Sequence, residues 1–329
     1  MHLAFLGCGF ITQVHSRQLR TLRPDVECSY ASRDAAKAEA FRRKYGGVRS
    51  FPSYEAAIGD RRVDAVVIAV PPRFHLELSQ RALEAGKHVL VEKPAYPRTE
   101  DYEAVIALQR RAGRVVLVGE NDHYKPLARS LRTLLRAGAI GDLVFAHFTT
   151  LVKKLKAADD WRNDETLAGG DAFFEEGIHW LHLAASLGPR MVRVEGFRPA
   201  PAIGGADTRA KSMMVAFAYD NGAVGALFYS REVPSLLQGL RVSKLMGRDG
   251  IISFESNGAF VIVRGRGVPR VIVPGFRDIR GYQAMYRDFL ESIRDGRAPE
   301  MGLEPALEDQ RLMDQIYASL AGAPRPAAS

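Results

Sequence analysis

The chain is poor in cysteine and has no long apolar run. Its 329 residues include two cysteines, Cys8 and Cys28, which lack CxxC or metal-ligand spacing. We therefore expect two buried, reduced thiols. No stretch approaches the roughly 18 uninterrupted apolar residues of a membrane helix, and the N-terminus lacks the pattern of a secretory leader. The sequence thus predicts a cytoplasmic protein without a membrane partner.

A concentrated basic surface is also lacking. The chain carries 46 Lys and Arg against 38 Asp and Glu, a formal net charge of +8. The basic residues are interspersed with acidic ones, as in residues 33–44, and no basic stripe contains interleaved aromatics or a recognition-helix motif. This pattern indicates solvated helix faces and no nucleic-acid partner. The positive charge still favours an anionic cofactor or an acidic substrate.

The N-terminus carries a strand, a glycine turn and a helix in succession. The apolar residues 2–6 lead into Gly7-Cys8-Gly9-Phe10-Ile11-Thr12 and then a helical segment to about residue 23. Gly7 permits a tight turn, Gly9 lets the backbone approach a pyrophosphate, and the helix N-terminus supplies amide groups. Thr12 stands where the dinucleotide fingerprint has its third glycine. We expect Gly7, Gly9, Phe10 and Ile11 to contact a dinucleotide.

The first third continues as alternating strands and helices. Apolar segments at 26–31, 63–70, 87–91 and 114–118 alternate with helical segments, which predicts a doubly wound parallel sheet covered on both faces. Ligands of such sheets bind beyond the carboxyl ends of the strands. The residues expected along that rim are Gly7, Ser32, Pro71, Glu92, Lys93 and Asn121.

The end of the second strand bears on cofactor choice. A small residue followed by arginine accommodates a 2′-phosphate, whereas NAD sites usually place an acidic residue there. Ser32-Arg33 therefore favours NADP(H) over NAD(H). The alternative is that Arg33 stacks on the adenine or faces solvent, as arginines also do in NAD enzymes.

The pattern changes after residue 120. A helix near 126–137 is followed by a run of strands, with hairpin signals at Asp220-Asn221-Gly222 and Asn257-Gly258, and by two closing helices near 282–295 and 305–320. We expect a frayed tail over 321–329. The sequence predicts an α/β chain with a dinucleotide-binding Rossmann domain at 1–120. An α+β domain at 121–329, with a large open and mainly antiparallel sheet, would bind the substrate and form oligomers.

Residues 161–182 hold an unusual density of polar groups. On a helix, Glu175 and His179 are four apart and share a face, as do His179 and His182 at three apart. A carboxylate beside an imidazole can orient it as a general base. The alternatives are a surface ion pair or a metal site, but the spacing lacks the H-E-x-x-H pattern and a cysteine ligand, so we predict no metal. Lys93 follows a buried strand and is fixed by Pro94, which favours a role at the ligand rim.

The chain resembles the Gfo/Idh/MocA family of sugar and polyol oxidoreductases over most of its length. The segments that carry the likeness are Gly7-x-Gly9, Ala69-Val70-Pro71-Pro72 with His75, Ala85-Gly86-Lys87-His88-Val89, Glu92-Lys93-Pro94, residues 119–126, Trp161-Arg162, Gly169-Gly170, and Glu175 with His179. Departures from the family pattern are Glu175 for the usual Asp, Asp171 for a common glycine, His123 for a frequent basic residue, and His182 for a frequent Asp.

The resemblance implies hydride transfer between a nicotinamide cofactor and a hydroxyl carbon of a sugar, polyol or sugar-derived substrate. Lys93 and His179 would be the catalytic pair with Glu175 as the carboxylate, and Ala69, Val70 and His75 would join the cofactor site. The residues expected to contact the substrate are Asn121, His123, Trp161, Arg162, Asp171 and His179. A homodimer or homotetramer is also implied. Two alternatives stay open: redox-neutral elimination or glycoside cleavage with retained NAD(H), and a non-catalytic ligand sensor.

Overall fold

The chain forms two compact units. The computed structural model describes residues 1–22, 25–153, 160–199, 210–234 and 240–321. The first unit consists of the described residues of 1–121 together with 166–169 and 281–308, and the second unit of the remaining described residues. Among the described helices, none has the length and apolar character that a membrane span requires.

The first unit is built on a six-stranded parallel sheet in the order β3-β2-β1-β4-β5-β6. Its strands are β1 His2–Leu6, β2 Glu27–Ala31, β3 Arg49–Phe51, β4 Ala65–Ile68, β5 His88–Glu92 and β6 Val116–Gly119. Its first five helices are α1 Phe10–Leu22, α2 Ala35–Tyr45, α3 Tyr54–Gly59, α4 His75–Glu84 and α5 Thr99–Ala112. Residues 65–68 are fully buried, as expected for a central strand covered on both faces. The predicted doubly wound sheet is confirmed.

The second unit is built on an eight-stranded sheet in the order β14-β13-β12-β11-β7-β10-β9-β8. Its strands are β7 Leu143–Leu151, β8 Met191–Phe197, β9 Ser212–Tyr219, β10 Val224–Ser230, β11 Val242–Gly247, β12 Gly250–Glu255, β13 Val261–Arg264 and β14 Arg270–Ile272. All described pairings are antiparallel except that of β10 with β7, which is parallel. This confirms the open, mainly antiparallel sheet.

The helices of the later chain are divided between the two units. They are α6 Pro126–Arg136, α7 Glu165–Ala168, α8 Ile178–Ala185, α9 Tyr282–Asp295 and α10 Leu303–Ala321. A short 3-10 segment, Asn121–Tyr124, precedes α6, and a π-helical segment, Phe173–Gly177, leads directly into α8. Of the tail predicted at 321–329, Ala321 is the last residue of α10, and residues 322–329 lie outside the described residues.

The boundary predicted at residue 120 needs one correction. Residues 281–308, which the sequence assigned to the second domain, belong to the first unit. The reason is packing, because α9 buries Tyr286 completely and places its hydroxyl 2.7 Å from Nδ1 of His15 on α1. Tyr282 meets the same imidazole edge to face.

One face of the eight-stranded sheet packs on the core of the second unit, and the other exposes apolar side chains. Phe148 of β7 is fully buried, whereas Phe145 of the same strand is 51% exposed. Val224 pairs with Phe145 across the parallel ladder, and Phe228 lies four residues further along β10. Because side chains alternate between faces, these three share one side. We call Phe145, Val224 and Phe228 the outer sheet face.

Candidate active site

The glycine turn after β1 is shaped by close backbone approach. Gly7 has φ +111°, and a Cβ there would lie 2.4 Å from the carbonyl oxygen of Ala69 at the end of β4. A Cβ at Gly9 would meet nothing within 4 Å, so open space adjoins the backbone where α1 begins. The Thr12 hydroxyl donates to the Gly7 carbonyl at 2.8 Å. Thr12 therefore closes the turn, while Phe10 stays exposed at the start of the helix.

A cleft lies beside the ends of β2 and β4. Its volume is about 170 Å³, and its lining residues are Arg33, Tyr54, Glu55, Val70, Pro71, Phe74, Glu77 and Leu78. The Arg33 guanidinium lies 5.6 Å from the centre of the Phe74 ring. Burial raises the pKa of Tyr54, although the nearby Arg33 opposes the shift. Sequence reasoning missed Tyr54 and Phe74, because no local pattern marks either side chain as part of a binding site.

Ser32 is positioned by the start of α2. Its side chain is buried, and its hydroxyl oxygen accepts from the Asp34 amide at 3.1 Å. Asp34 in turn caps α2 by accepting from the Lys37 amide. Ser32 and Arg33 therefore follow β2 directly, and the first acidic side chain after the strand, Asp34, caps α2.

Buried histidines anchor the loop that carries Lys93. His75 is fully buried, with its ring nitrogens 2.8 Å from the Val70 carbonyl oxygen and about 3 Å from those of Pro94 and Ala95. Burial lowers the pKa of His75, although its contacts with backbone carbonyl oxygens oppose the shift. His75 thus links the loop after β4 to the loop after β5, which carries Lys93.

Glu92 belongs to a second buried network in the first unit. Its Oε1 lies 2.7 Å from Nε2 of His15, whose Nδ1 contacts the Tyr286 hydroxyl. Burial raises the pKa of Tyr286 well above its usual value, so the phenol stays protonated. These contacts assign Glu92 to the support of the loop at Lys93. Asn121 is buried at the end of β6, where the 3-10 segment begins.

In the second unit, Asp171 organises the π-helical segment. Its Oδ1 accepts from the amides of Phe173 and Phe174 and from the Tyr317 hydroxyl, and its Oδ2 pairs with Arg198. The side chain is 6% exposed. Both oxygens therefore have protein donors, and we assign Asp171 to the support of this segment rather than to a substrate contact.

Glu175 is paired with two arginines. Its carboxylate forms an ion pair with Arg231, and its Oε1 lies 3.4 Å from Nε of Arg162. Arg162 stacks over Trp161 at 4.6 Å, and Arg231 also pairs with Glu176. Arg231 is buried, and its carboxylate neighbours raise the net pKa of its guanidinium although burial alone would lower it. Sequence reasoning missed Arg231, which lies 56 residues beyond Glu175.

His179 and His182, one turn apart on α8, each lie close to one residue of the 3-10 segment Asn121–Tyr124. A carboxylate oxygen of Asp122 and a ring nitrogen of His179 lie within 4.8 Å of each other. One turn further, His182 Nε2 lies 2.9 Å from Nδ1 of His123. Asp122 and His123 therefore lie on the side of α8 that carries His179 and His182. Sequence reasoning did not single out Asp122 as a site residue. Asp122 is itself paired with Lys125 at 2.6 Å.

The chain is similar to known families and proteins over most of its length. Residues 1–120 match the model of the GFO/IDH/MocA oxidoreductase family with its NAD-binding Rossmann fold, and residues 128–251 match the GFO/IDH/MocA C-terminal domain. D-xylose 1-dehydrogenase (NADP(+)) 2 of Haloferax volcanii is 28% identical over 296 residues, which are 88% of each chain. A dTDP-3,4-didehydro-2,6-dideoxy-alpha-D-glucose 3-reductase of Streptomyces violaceoruber is 34% identical over 60% of this chain and 57% of its own.

A solved structure shows the same fold over the whole length. Levoglucosan dehydrogenase in complex with NADH and levoglucosan superposes with a TM-score of 0.86 at 20% sequence identity. The match covers 98% of this chain and 97% of the other. The predicted family resemblance and the predicted fold class are both confirmed.

Proposed function

Because the chain belongs to the Gfo/Idh/MocA family of NAD(P)-dependent oxidoreductases, we propose that it transfers a hydride between NADP(H) and a hydroxyl carbon of a sugar or sugar-derived substrate. The proposal rests on two features of the first unit. Open space adjoins the backbone at Gly9, and His75 holds the loop that carries Lys93. The relatives named above, a xylose dehydrogenase and a sugar-nucleotide reductase, support the substrate class.

The residues at the glycine turn fit a dinucleotide. Gly7 permits contact with the end of β4, and the space beside Gly9 leaves the first amides of α1 accessible to a pyrophosphate. When bound, the nicotinamide supplies the acceptor for a hydride released from the substrate carbon. Arg33, on the cleft after β2, supports a preference for a 2′-phosphate, because guanidinium groups bind phosphate bidentately.

In the oxidative direction, His179 takes the proton of the substrate hydroxyl while the carbon becomes a carbonyl. An imidazole is suited to this near neutral pH, and the Asp122 carboxylate close to it stabilises the imidazolium that forms. Lys93 donates a hydrogen bond to the same substrate oxygen and stabilises its developing negative charge. Glu175, held by Arg231 and Arg162, is proposed to orient this end of α8.

Trp161, Arg162, His123 and Asn121 are the proposed substrate contacts. Arg162 is 25% exposed although it pairs with Asp160 and Glu175, so its guanidinium keeps accessible surface for a substrate oxygen. Both cysteines are free, and burial raises the pKa of Cys8 to about 11 and that of Cys28 to about 12. Unreactive thiols of this kind fit the proposed cytoplasmic site of action.

The first test is binding, followed by turnover. Purified protein is titrated with NADPH and with NADH while the nicotinamide fluorescence is followed, and is then assayed with D-xylose and other aldoses and NADP⁺. Tighter binding of NADPH and a sugar-dependent rise in nicotinamide absorbance are expected. If neither dinucleotide binds, the proposed function is wrong. If a dinucleotide binds but no sugar or sugar acid is oxidised or reduced, the substrate class is wrong.

A further inference from the structure

The cleft beside the ends of β2 and β4 is lined by charges of both signs. Its lining residues include one arginine, Arg33, and two glutamates, Glu55 of α3 and Glu77 of α4. The pKa of Glu55 is held below its usual value, first by its own backbone amide and by Ser53, and also by Arg81. Glu55 is therefore ionised near pH 7. A ligand in this cleft meets negative as well as positive side chains.

Arg81 bridges the two glutamates. Its Nη1 lies 2.9 Å from Oε1 of Glu55, and its Nη2 lies 2.7 Å from Oε1 of Glu77, one turn earlier on α4. The three side chains are 46% to 60% exposed, so these ion pairs add little to the stability of the fold. Their larger effect is on the charge beside the cleft. With Arg81 the three side chains carry one net negative charge, and without it they would carry two.

The cleft is small enough for these charges to act on a phosphate bound inside it. Its volume is about 170 Å³, so a group within it lies close to all the lining side chains. Charges closer together than the Debye length, about 10 Å at 0.1 M ionic strength, are incompletely screened. A phosphate monoester carries nearly two negative charges at neutral pH. It is therefore attracted by Arg33 and repelled by any carboxylate that lacks a counter-charge.

The two arginines have different surroundings. In the described part of the chain the glutamates pair with Arg81, whereas the Arg33 guanidinium lies 5.6 Å from the centre of the Phe74 ring. An arginine over an aromatic ring still presents its N–H groups to an anion. Burial raises the pKa of Tyr54, Arg33 opposes this shift and Glu55 adds to it, so both charges lie near one hydroxyl group. Arg81 thus satisfies a carboxylate that would otherwise compete with a phosphate for Arg33.

We propose that Arg81 is a specificity-determining residue, which compensates Glu55 and Glu77 so that the cleft accepts the 2′-phosphate of NADP(H) at Arg33. The inference rests on the proposed function, which places the adenosine half of the dinucleotide beside the end of β2. Arg81 acts through the charge of the two lining carboxylates. It favours NADP(H) over NAD(H), because only NADP(H) carries a phosphate at this position.

A series of charge variants tests the proposal by fluorescence titration with NADPH and NADH. Arg81→Gln leaves both carboxylates uncompensated, so the NADPH dissociation constant should rise about two- to fivefold, the range of one exposed charge interaction. Glu77→Gln removes one negative charge and should lower that constant by a similar factor. The double variant Arg81→Gln with Glu77→Gln has the net charge of the parent and should bind NADPH about as tightly. The NADH dissociation constant should change much less throughout.

The opposite signs of the two single variants separate a charge effect from a structural one. Both variants break an ion pair of Arg81, so a merely structural role would weaken NADPH binding in both. At about 0.5 M salt, screening should remove most of the differences between the variants. Arg110→Gln is the matched control, because it removes an exposed arginine that pairs with Glu304, and neither residue lines the described part of the cleft. It should leave the ratio of the two dissociation constants unchanged.

Fragments of the cofactor distinguish this inference from the proposed function. In isothermal titration calorimetry, Arg81→Gln should weaken adenosine 2′,5′-bisphosphate and leave 5′-AMP nearly unchanged. Equal effects on both fragments, or weaker NADPH binding in Glu77→Gln, would overturn the role of Arg81. If no sugar is oxidised or reduced but the difference between the fragments persists, the proposed function is wrong and the charge compensation stands. A parent protein that binds neither NADPH nor the bisphosphate would overturn both.

Discussion

At the scale of single residues, two carboxylates four positions apart have different partners. Asp171 accepts two backbone amides and a tyrosine hydroxyl, which is how a residue that begins a helical segment is used. Glu175 instead pairs with Arg231 and Arg162. Two similar side chains in one motif therefore have different surroundings, and only Glu175 keeps a proposed role in the chemistry.

Replacing Lys93 tests the proposed stabilisation of charge on the substrate oxygen. Lys93→Met removes the donor while keeping a side chain of similar length, so kcat should fall by about 10²–10³-fold, the loss typical of one oxyanion donor. The dissociation constant of NADPH should change by less than about twofold, because the lost contact is to substrate. Steady-state rates and fluorescence titration measure both. Lys44→Met, exposed on α2, is the control, and equal turnover in Lys93→Met would contradict the role.

Arg33 should decide cofactor preference. Arg33→Gln keeps hydrogen-bonding capacity but removes the charge on the cleft, so the dissociation constant of NADPH should rise by about 10- to 100-fold, the range of one charge-assisted hydrogen bond. Binding of NADH, which has no 2′-phosphate, should be nearly unchanged. Arg43→Gln, 75% exposed on α2, controls for a general loss of positive charge. Equal weakening for both cofactors would mean that Arg33 stacks on the adenine instead.

At the scale of elements, the sequence predicts most of the first sheet but not what joins distant segments. Apolar strands between helices placed β1, β2, β4, β5 and β6 within a few residues. The short β3 and α3 escaped notice because three strand residues and six helical ones give little periodicity. The motif around His179 was visible as a spacing pattern. Arg231, which pairs with Glu175, is not visible in that pattern, because nothing local marks a residue that tertiary packing brings in.

The helix around Glu175 shows a second limit of the same kind. The sequence predicts a regular helix with Glu175 and His179 on one face, but residues 173–177 form a π-helical segment. A Cβ at Gly177 would lie 2.2 Å from the Phe173 ring, so a glycine is needed for this packing. The wider turn is accompanied by this local packing, which helical periodicity alone does not report.

The link between β5 and β6 predicts a pH dependence of stability. His88 Nδ1 accepts from the Val115 amide at 3.0 Å, and burial, assisted by Arg114, lowers the pKa of His88 to about 4. The unfolded chain therefore binds more protons than the folded one between about pH 6.5 and 4. The stabilising contribution is fully present above that window and is lost as the pH falls through it.

His88→Asn tests this link, since an amide oxygen can accept from Val115 without titrating. Between about pH 7 and 4.5, the free energy of unfolding should fall less in the variant than in the parent, by a difference of about 1–2 kcal/mol. This difference is smaller than the whole pKa shift of His88 would give, because the ring is only partly buried. Urea unfolding followed by far-ultraviolet circular dichroism measures this free energy. Tryptophan fluorescence is less suitable, because Trp161 and Trp180 both lie in the second unit whereas His88 lies in the first. Parallel pH curves for the two proteins would contradict the assignment.

At the scale of the whole molecule, the outer sheet face predicts self-association. Phe145, Val224 and Phe228 are 51%, 43% and 37% exposed at the centre of an eight-stranded sheet. Monomeric proteins rarely leave a contiguous apolar patch of large side chains in water. We propose that a second copy of the chain covers this face, giving a homodimer or, with a further interface, a homotetramer.

Charges placed on the outer sheet face should separate the copies. In Phe145→Glu with Phe228→Glu, each two-fold interface would bury carboxylates of the same sign without a partner, so the dissociation constant of the dimer should rise by at least about 10²-fold. Sedimentation velocity over a range of concentrations measures the shift, and circular dichroism confirms that the variant is folded. Val268→Glu is the matched control, because Val268 is 84% exposed but lies in the turn between β13 and β14, off this face. If the parent protein sediments as a monomer, no surface joins the copies. If the double variant associates as tightly as the parent, a surface other than the outer sheet face joins them.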